Sequence, residues 1–210
     1  TACRAMAPWG LLLSAACAGW FATAPCLHGQ ARMENLNRGV VALRASSTQA
    51  YVSWRFLGLN PDGIGFHVYR SIDGATPVQL TATPVTQTTD YRDTPGSAAF
   101  SGTITYFVRP VIDGVPGAPS EPFVLPANVA AQPFLSIPIE PPPGGTTPTG
   151  ENYTYSANDA APADLDGDGT LDIVLKWDPS NSKDNANSGY TGEVYLDGYK
   201  LDGTRLWRVI

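Results

Sequence analysis

The run Asp164-Leu-Asp-Gly-Asp-Gly-Thr-Leu-Asp172, continued by Ile173-Val-Leu-Lys-Trp177, decides how the second half of the chain folds. Asp164, Asp166, Asp168 and Asp172 recur at alternate or near-alternate positions, and Gly167 and Gly169 stand where the chain must bend sharply. Calcium takes about six to eight oxygen ligands, and a ligand loop supplies them from positions 1, 3, 5, 7 and 9. Those positions are Asp164, Asp166, Asp168, the Thr170 carbonyl and Asp172. Four nearby carboxylates repel one another unless a cation neutralises them, so Ca2+ is the expected cofactor. A solvated acidic turn is the alternative. The twelfth position is Leu175, where an EF-hand places a bidentate Glu. Beyond the loop, Leu171, Ile173, Leu175 and Trp177 alternate with Asp172, Val174 and Lys176. Period two and β-branched content predict a strand rather than an exiting helix. A metal loop opening straight into a strand suits a propeller blade or β-solenoid, not a sensor that moves helices.

The surrounding residues extend this pattern. From Tyr153 onward strands alternate with Asp/Gly/Asn loops: Gly192-Glu-Val-Tyr-Leu-Asp-Gly-Tyr-Lys-Leu201 reads as one strand, Asp202-Gly203 as a tight turn, and Thr204 to Ile210 as the start of the next. That is roughly one blade, whereas a propeller closes its ring with about four to eight four-stranded blades. The expectation is therefore an N-terminal fragment of a larger protein. Before the blade, Pro138-Ile-Glu-Pro-Pro-Pro-Gly-Gly-Thr-Thr-Pro-Thr-Gly150 combines stiff prolines with permissive glycines. It reads as an interdomain linker or as a tight, ordered crossing.

The first half predicts a small β-sandwich. Gly39-Val-Val-Ala-Leu43, Ala50 to Phe56, Gly65-Phe-His-Val-Tyr-Arg70, Val78-Gln-Leu80 and Thr103 to Arg109 are short strand-like runs. Ile72-Asp-Gly74 and Asp113-Gly114 are turn signals between them. Trp54 is expected in the core, with Tyr69 and Tyr106 in or near it. Tyr51-Val-Ser-Trp54, Phe66-His-Val-Tyr-Arg70 and the closing Pro119-Ser-Glu-Pro122 resemble a fibronectin type III module, a scaffold that hosts many roles. The whole chain is read as all-β, with a leader at 1–31, the sandwich at 32–127, a Pro/Gly-rich linker at 128–150 and the blade at 151–210.

Charge and cysteine content narrow the function. Eleven of the 19 acidic residues lie after residue 150, against five Lys or Arg, so the acidity is local to the predicted metal-binding half. No basic patch is present, which argues against nucleic acid. Arg4 followed by the uncharged stretch Ala7–Ala24, with Leu11-Leu-Leu-Ser-Ala-Ala16 and a small-residue site at Gly29-Gln-Ala31, reads as an export signal, with an uncleaved anchor as the alternative. Secretion, no membrane association after cleavage, and a monomer are expected. Cys3, Cys17 and Cys26 all fall in the leader, so the mature part offers neither a disulfide nor a cysteine zinc site.

Seven motifs then stand in order: Arg38-Gly-Val-Val-Ala42, Val52-Ser-Trp-Arg-Phe-Leu-Gly58, Gly144-Gly-Thr-Thr-Pro148, Tyr153-Thr-Tyr-Ser-Ala-Asn-Asp159, Asp164-Leu-Asp-Gly-Asp-Gly169, Leu175-Lys-Trp-Asp-Pro-Ser-Asn-Ser-Lys-Asp-Asn185 and Tyr199-Lys-Leu-Asp-Gly-Thr-Arg-Leu-Trp207. Together they resemble the start of a rhamnogalacturonan lyase of polysaccharide lyase family 11. The resemblance implies a secreted microbial enzyme that cuts rhamnogalacturonan I between rhamnose and galacturonate by β-elimination. It also implies a small β domain ahead of a calcium-rich propeller whose central cleft binds the anionic plant cell-wall polymer. Calcium there would neutralise the uronate carboxylate as a Lewis acid.

Asn158 and Asp178 are the expected substrate contacts, since amide and carboxylate groups suit sugar hydroxyls. The alternative is that Asn158 caps a turn and Asp178 opens an Asp-Pro turn. Asp159 is read as an addition to the calcium site or a turn stabiliser. Lys176 is read as facing the cleft or as a strand-edge charge. Asn181, Asp184 and Asn185 form a polar loop, solvated or a second cation site. No catalytic residue is assigned. A non-catalytic carbohydrate-binding or adhesion protein is the competing reading, and a glycoside hydrolase with carboxylates facing across a cleft a weaker one.

Overall fold

Ten residues after the expected leader, the alternation read from sequence becomes strand. A computed structural model describes residues 35–210; the leader at 1–31 and its three cysteines lie outside the described residues. Residues Glu34–Ile210 make one compact unit. The described residues are all-β, their helical content being one 3-10 turn at Ser97–Ser101.

The first half holds eight strands: β1 (Val41–Arg44), β2 (Ala50–Ser53), β3 (Gly65–Ile72), β4 (Val78–Gln79), β5 (Asp90–Asp93), β6 (Ile104–Ile112), β7 (Val115–Pro116) and β8 (Phe123–Leu125). β1-β2-β5 form one sheet; β4-β3-β6-β7 form the other, with β8 also on β6. Alternate residues of both sheets meet in one core. Ala42, Ala50 and Val52 come from the first sheet, and Phe66, Val68, Ile104, Tyr106 and Val108 from the second. Trp54 is buried against Phe66 at 5.5 Å between ring centroids. Tyr69 points the other way and stacks on Phe107 outside the core, as its place opposite Phe66 and Val68 requires. Asp113 and Gly114, both at positive φ, close the two-residue turn between β6 and β7. Inside, Asp93 is buried and accepts hydrogen bonds from the Arg70 guanidinium at 2.7 Å and from the Tyr106 hydroxyl at 2.8 Å, tying the two sheets together.

The Pro/Gly-rich segment is fastened rather than loose. β9 (Gly145–Thr146) pairs with β10 (Asn152–Tyr153). The Glu140 carbonyl accepts from the Arg208 guanidinium at 2.6 Å and from the Tyr199 hydroxyl at 3.2 Å. Pro138 lies against Gly203 so closely that a Cβ there would meet the Pro138 carbonyl at 2.7 Å.

The second half is one four-stranded antiparallel sheet in chain order: β11 (Tyr155–Ala163), β12 (Asp172–Pro179), β13 (Tyr195–Tyr199) and β14 (Arg205–Val209). Leu175, Trp177 and Tyr199 form its core, as the period-two reading of β12 predicts. The strand expected over 192–201 is shorter at both ends. Gly192 donates to the buried Asn181 side chain at 3.0 Å instead of to a neighbouring strand, and Gly203 turns the chain back onto the Lys200 carbonyl. Asp197 is fully buried beneath this sheet, accepting from Trp177 Nε1 at 2.7 Å, the Tyr199 hydroxyl at 2.9 Å and the Arg208 guanidinium at 2.6 Å.

Candidate functional site

The aspartate run forms the connection between β11 and β12. Gly167 and Gly169 take φ of 80° and 84°, a conformation open to glycine at little cost. The carboxylates fold the loop from within. Asp164 accepts from Gly167 N at 2.8 Å and Gly169 N at 3.0 Å, Asp166 from Asp168 N at 3.2 Å, and Asp168 from Thr170 N at 2.7 Å. Asp172 turns inward, 1% exposed, and accepts from Leu165 N at 3.0 Å.

Asp164, Asp166 and Asp172 each offer a carboxylate oxygen, and these oxygens lie within 4.8 Å of one another. Asp168 stands outside that trio. It holds the Lys200 ammonium at 3.0 Å, and Asp166 holds the same ammonium at 2.5 Å. The electrostatics follow. Burial, then the neighbouring Asp166 and Asp168 charges, push the Asp172 carboxyl above its ordinary value, against the pull of Leu165 N. The Lys200 hydrogen bond and the Thr170 amide hold Asp168 below it. Asp166 and Asp168 push Lys200 well above the usual lysine range. A buried carboxylate aimed at two others, with Lys200 engaged at the rim, is a donor set of hard oxygens that fits a divalent cation such as calcium.

The second feature is at the opposite end of the same hairpin. A register shift between Ala157 and Ala160 bulges Asn158 and Asp159 out of β11, which is exposed along most of its length. The bulge brings Asn158 onto Asp178 of β12: Asn158 Nδ2 donates to Asp178 Oδ2, while Lys176 Nζ bonds Asp178 Oδ1 at 2.9 Å. The Asp178 hydrogen bond, with the Asp178 and Asp159 charges, raises the Lys176 ammonium above its ordinary value. An amide, two carboxylates and an ammonium thus share one solvent-facing patch, the mix of donors and acceptors that sugar hydroxyls use. Asp172 pairs with Ala163 and Asp178 with Ser156, so six residues of strand, about 20 Å, separate this patch from the loop.

Several residues close to these features carry no local sequence signal. Asn37 and Arg55, from the sandwich side, hydrogen-bond the loop at Gly169 and Thr170. Lys200 arrives from the β13–β14 turn. Asn181, in the polar loop read as solvated or cation-binding, is buried and holds Gly192, while Asp184 caps Ala186 at 2.9 Å.

Among the described residues the protein is an all-β fold with an oxygen-rich loop and a polar strand patch, and comparison with known proteins narrows its class. Residues 31–124 match the family model of rhamnogalacturonan I lyases, beta-sheet domain, and residues 134–210 that of rhamnogalacturonan lyase family 11, C-terminal domain. The chain belongs to rhamnogalacturonan lyase family 11. It is 53% identical over 183 residues to the rhamnogalacturonan endolyase YesW of Bacillus subtilis, covering 87% of this chain and 27% of that protein. It is 46% identical over 178 residues to the exolyase YesX of the same organism, covering 85% of this chain and 27% of that protein. The crystal structure of YesW superposes with a TM-score of 0.70 over 84% of this chain and 28% of that one. The Bacillus licheniformis lyase does so with the same score at 48% identity, over 84% of this chain and 28% of that one. The chain therefore spans about a quarter of the length of these relatives.

Proposed function

We propose that the protein containing this chain is a secreted lyase that cleaves rhamnogalacturonan I between rhamnose and galacturonate by β-elimination. The observation that carries the reading is the 53% identity to a rhamnogalacturonan endolyase across nearly all of the chain. The two relatives act in opposite modes, endo and exo, so the reading concerns the bond broken and not its place along the polymer. In such a reaction a base removes the proton beside the uronate carboxyl, the bond to the glycosidic oxygen breaks, a carbon–carbon double bond forms and no water is consumed. A non-catalytic binding protein is the less favoured reading, since both curated relatives are lyases.

The four-stranded sheet at 151–210 is read as the first blade of a propeller, the residues at 32–127 as a preceding fibronectin type III-like sandwich, those at 128–150 as the linker, and residues 1–31 as the export signal. Calcium is read as bound by Asp164, Asp166, Asp172, Asp168 and the Thr170 carbonyl. When bound, calcium supplies charge neutralisation to these carboxylates. About 20 Å from the patch, the loop's part is to hold the β11–β12 hairpin in register; any ion at the uronate belongs to other residues. Asn158 and Asp178 are read as sugar contacts. Asn158 presents the amide, Asp178 accepts from hydroxyls, and Lys176 holds the carboxylate in place. An acidic protein also repels an acidic polymer unless cations intervene, which favours the same reading.

Kinetics on the full-length protein with rhamnogalacturonan I test the site. Asn158→Ala and Asp178→Ala are expected to lower kcat/KM by roughly ten- to a hundredfold, each deleting hydrogen bonds to substrate worth about 1.5–3 kcal/mol where charged. Unchanged kinetics in both variants would assign the pair to turn formation alone.

A further inference from the structure

The aspartate loop does not stand alone against solvent. Its Gly169–Thr170 segment is bonded from outside by the residues that lead into the sandwich. Asn37 N donates to the Gly169 carbonyl at 2.7 Å, and Asn37 Nδ2 to Thr170 Oγ1 at 2.9 Å. Arg55 Nη1 reaches both the Gly169 carbonyl at 3.3 Å and the Asn37 carbonyl at 3.2 Å. The Asn37 side chain is itself oriented, because its Oδ1 accepts from Gly39 N at 2.7 Å. Gly169 is buried, and a Cβ there would meet the Asn35 carbonyl oxygen at 3.0 Å and Asn37 N at 3.1 Å. Glycine is thus required as much by the sandwich's approach as by its own positive φ.

This contact falls on the residues that matter for a cation. The Gly169 amide donates to Asp164, the Thr170 amide to Asp168, and the Thr170 carbonyl is the one main-chain ligand the loop spacing supplies. Fixing the Gly169 carbonyl and the Thr170 hydroxyl leaves this peptide segment little freedom to turn. Residues one shell out from a metal commonly set its affinity by orienting the ligands, with effects of about 10–100-fold. A cavity of about 480 Å³ opens at the same place, walled by Asn37 and Arg55 on one side and by Asp168, Thr170, Asp172 and Lys200 on the other.

We propose that the sandwich is a structural part of the cation site: Asn37, backed by Arg55, is a positioning residue that sets the loop's affinity for calcium and couples its occupancy to the segment leading into β1. The inference rests on the calcium reading of the loop. Hydrogen–deuterium exchange on the full-length protein, titrated with calcium alone after chelator removal, separates the two. In the wild type, calcium is expected to protect amides of 164–172 and, at the same concentration, those of 35–40. In Asn37→Ala the midpoint for loop protection is expected to rise about tenfold, and the response at 35–40 to disappear. Thr170→Val removes only the hydroxyl acceptor and keeps the main-chain carbonyl. It is expected to move the midpoint in the same direction, and the double variant to add little beyond Asn37→Ala. A structural role for Asn37 would lower protection equally with and without calcium and leave the midpoint in place. Unmoved midpoints in both single variants, with the wild-type loop still calcium-protected, overturn the inference and leave the calcium reading standing. Absence of calcium protection at 164–172 in the wild type removes both.

Discussion

At Gly169 and Asp93 single residues hold disproportionate weight, for different physical reasons. Gly169→Ala must place a Cβ at φ of 84° against two main-chain atoms that cannot swing away. Strain of that kind costs about 1–3 kcal/mol. The variant is expected to unfold at a visibly lower denaturant midpoint, and an unchanged midpoint would show that the sandwich does not press on the loop. Asp93→Ala strips a half-buried guanidinium and a buried phenol of their shared acceptor. Burial, reinforced by the Asp93 charge, pushes the Tyr106 hydroxyl far above its ordinary range, consistent with a phenol that serves as donor throughout the accessible pH range. Breaking such a buried pair from one side costs about 3–5 kcal/mol, to be read from chemical denaturation of the sandwich.

At the scale of the element, the four-stranded sheet carries its own pH dependence. Burial pushes the Asp197 carboxyl up, but hydrogen bonds from Arg208, Trp177 and Tyr199 together outweigh it and leave the group below its reference value of 3.8. A carboxyl with a lowered folded-state pKa contributes stability that is fully present above its unfolded value and is lost as the pH falls through the folded one. The sheet is therefore expected to weaken below about pH 4. Asp197→Asn should lower stability at neutral pH while flattening this acid limb, as followed by circular dichroism across the range. An acid limb unchanged in the variant would place its origin elsewhere. The β11–β12 hairpin shows what sequence pattern reaches and what it misses. The alternation of Leu175 and Trp177 and the turn at Asp113-Gly114 are local properties, and both are found where the pattern puts them. The bulge at 157–160 is set by pairing with β12, not by Asn158 and Asp159 themselves, so period counting does not reveal it.

At the scale of the whole molecule, the sequence was informative about family and about the acidic loop, because both reside in contiguous motifs. It was silent about Asn37, Arg55 and Lys200, whose partners lie 32 to 133 positions away along the chain. It also missed the 20 Å between loop and patch, since proximity in sequence hides that a strand runs straight (about 3.3 Å per residue). If calcium occupies the loop and not the unfolded chain, free ion at a hundred times its Kd adds about 2.7 kcal/mol. Chelation is therefore expected to lower the thermal midpoint, and a midpoint indifferent to chelator would leave the loop's carboxylates neutralised by side chains such as Lys200. Elimination rather than hydrolysis of rhamnogalacturonan I is tested by incubating the full-length protein with that polymer and counting two products together: new reducing ends and the ultraviolet-absorbing unsaturated uronate. Elimination yields one unsaturated end for every new reducing end, and that ratio is the expected result. New reducing ends without the absorbing product, or no cleavage of a polymer that the protein still binds, would contradict it.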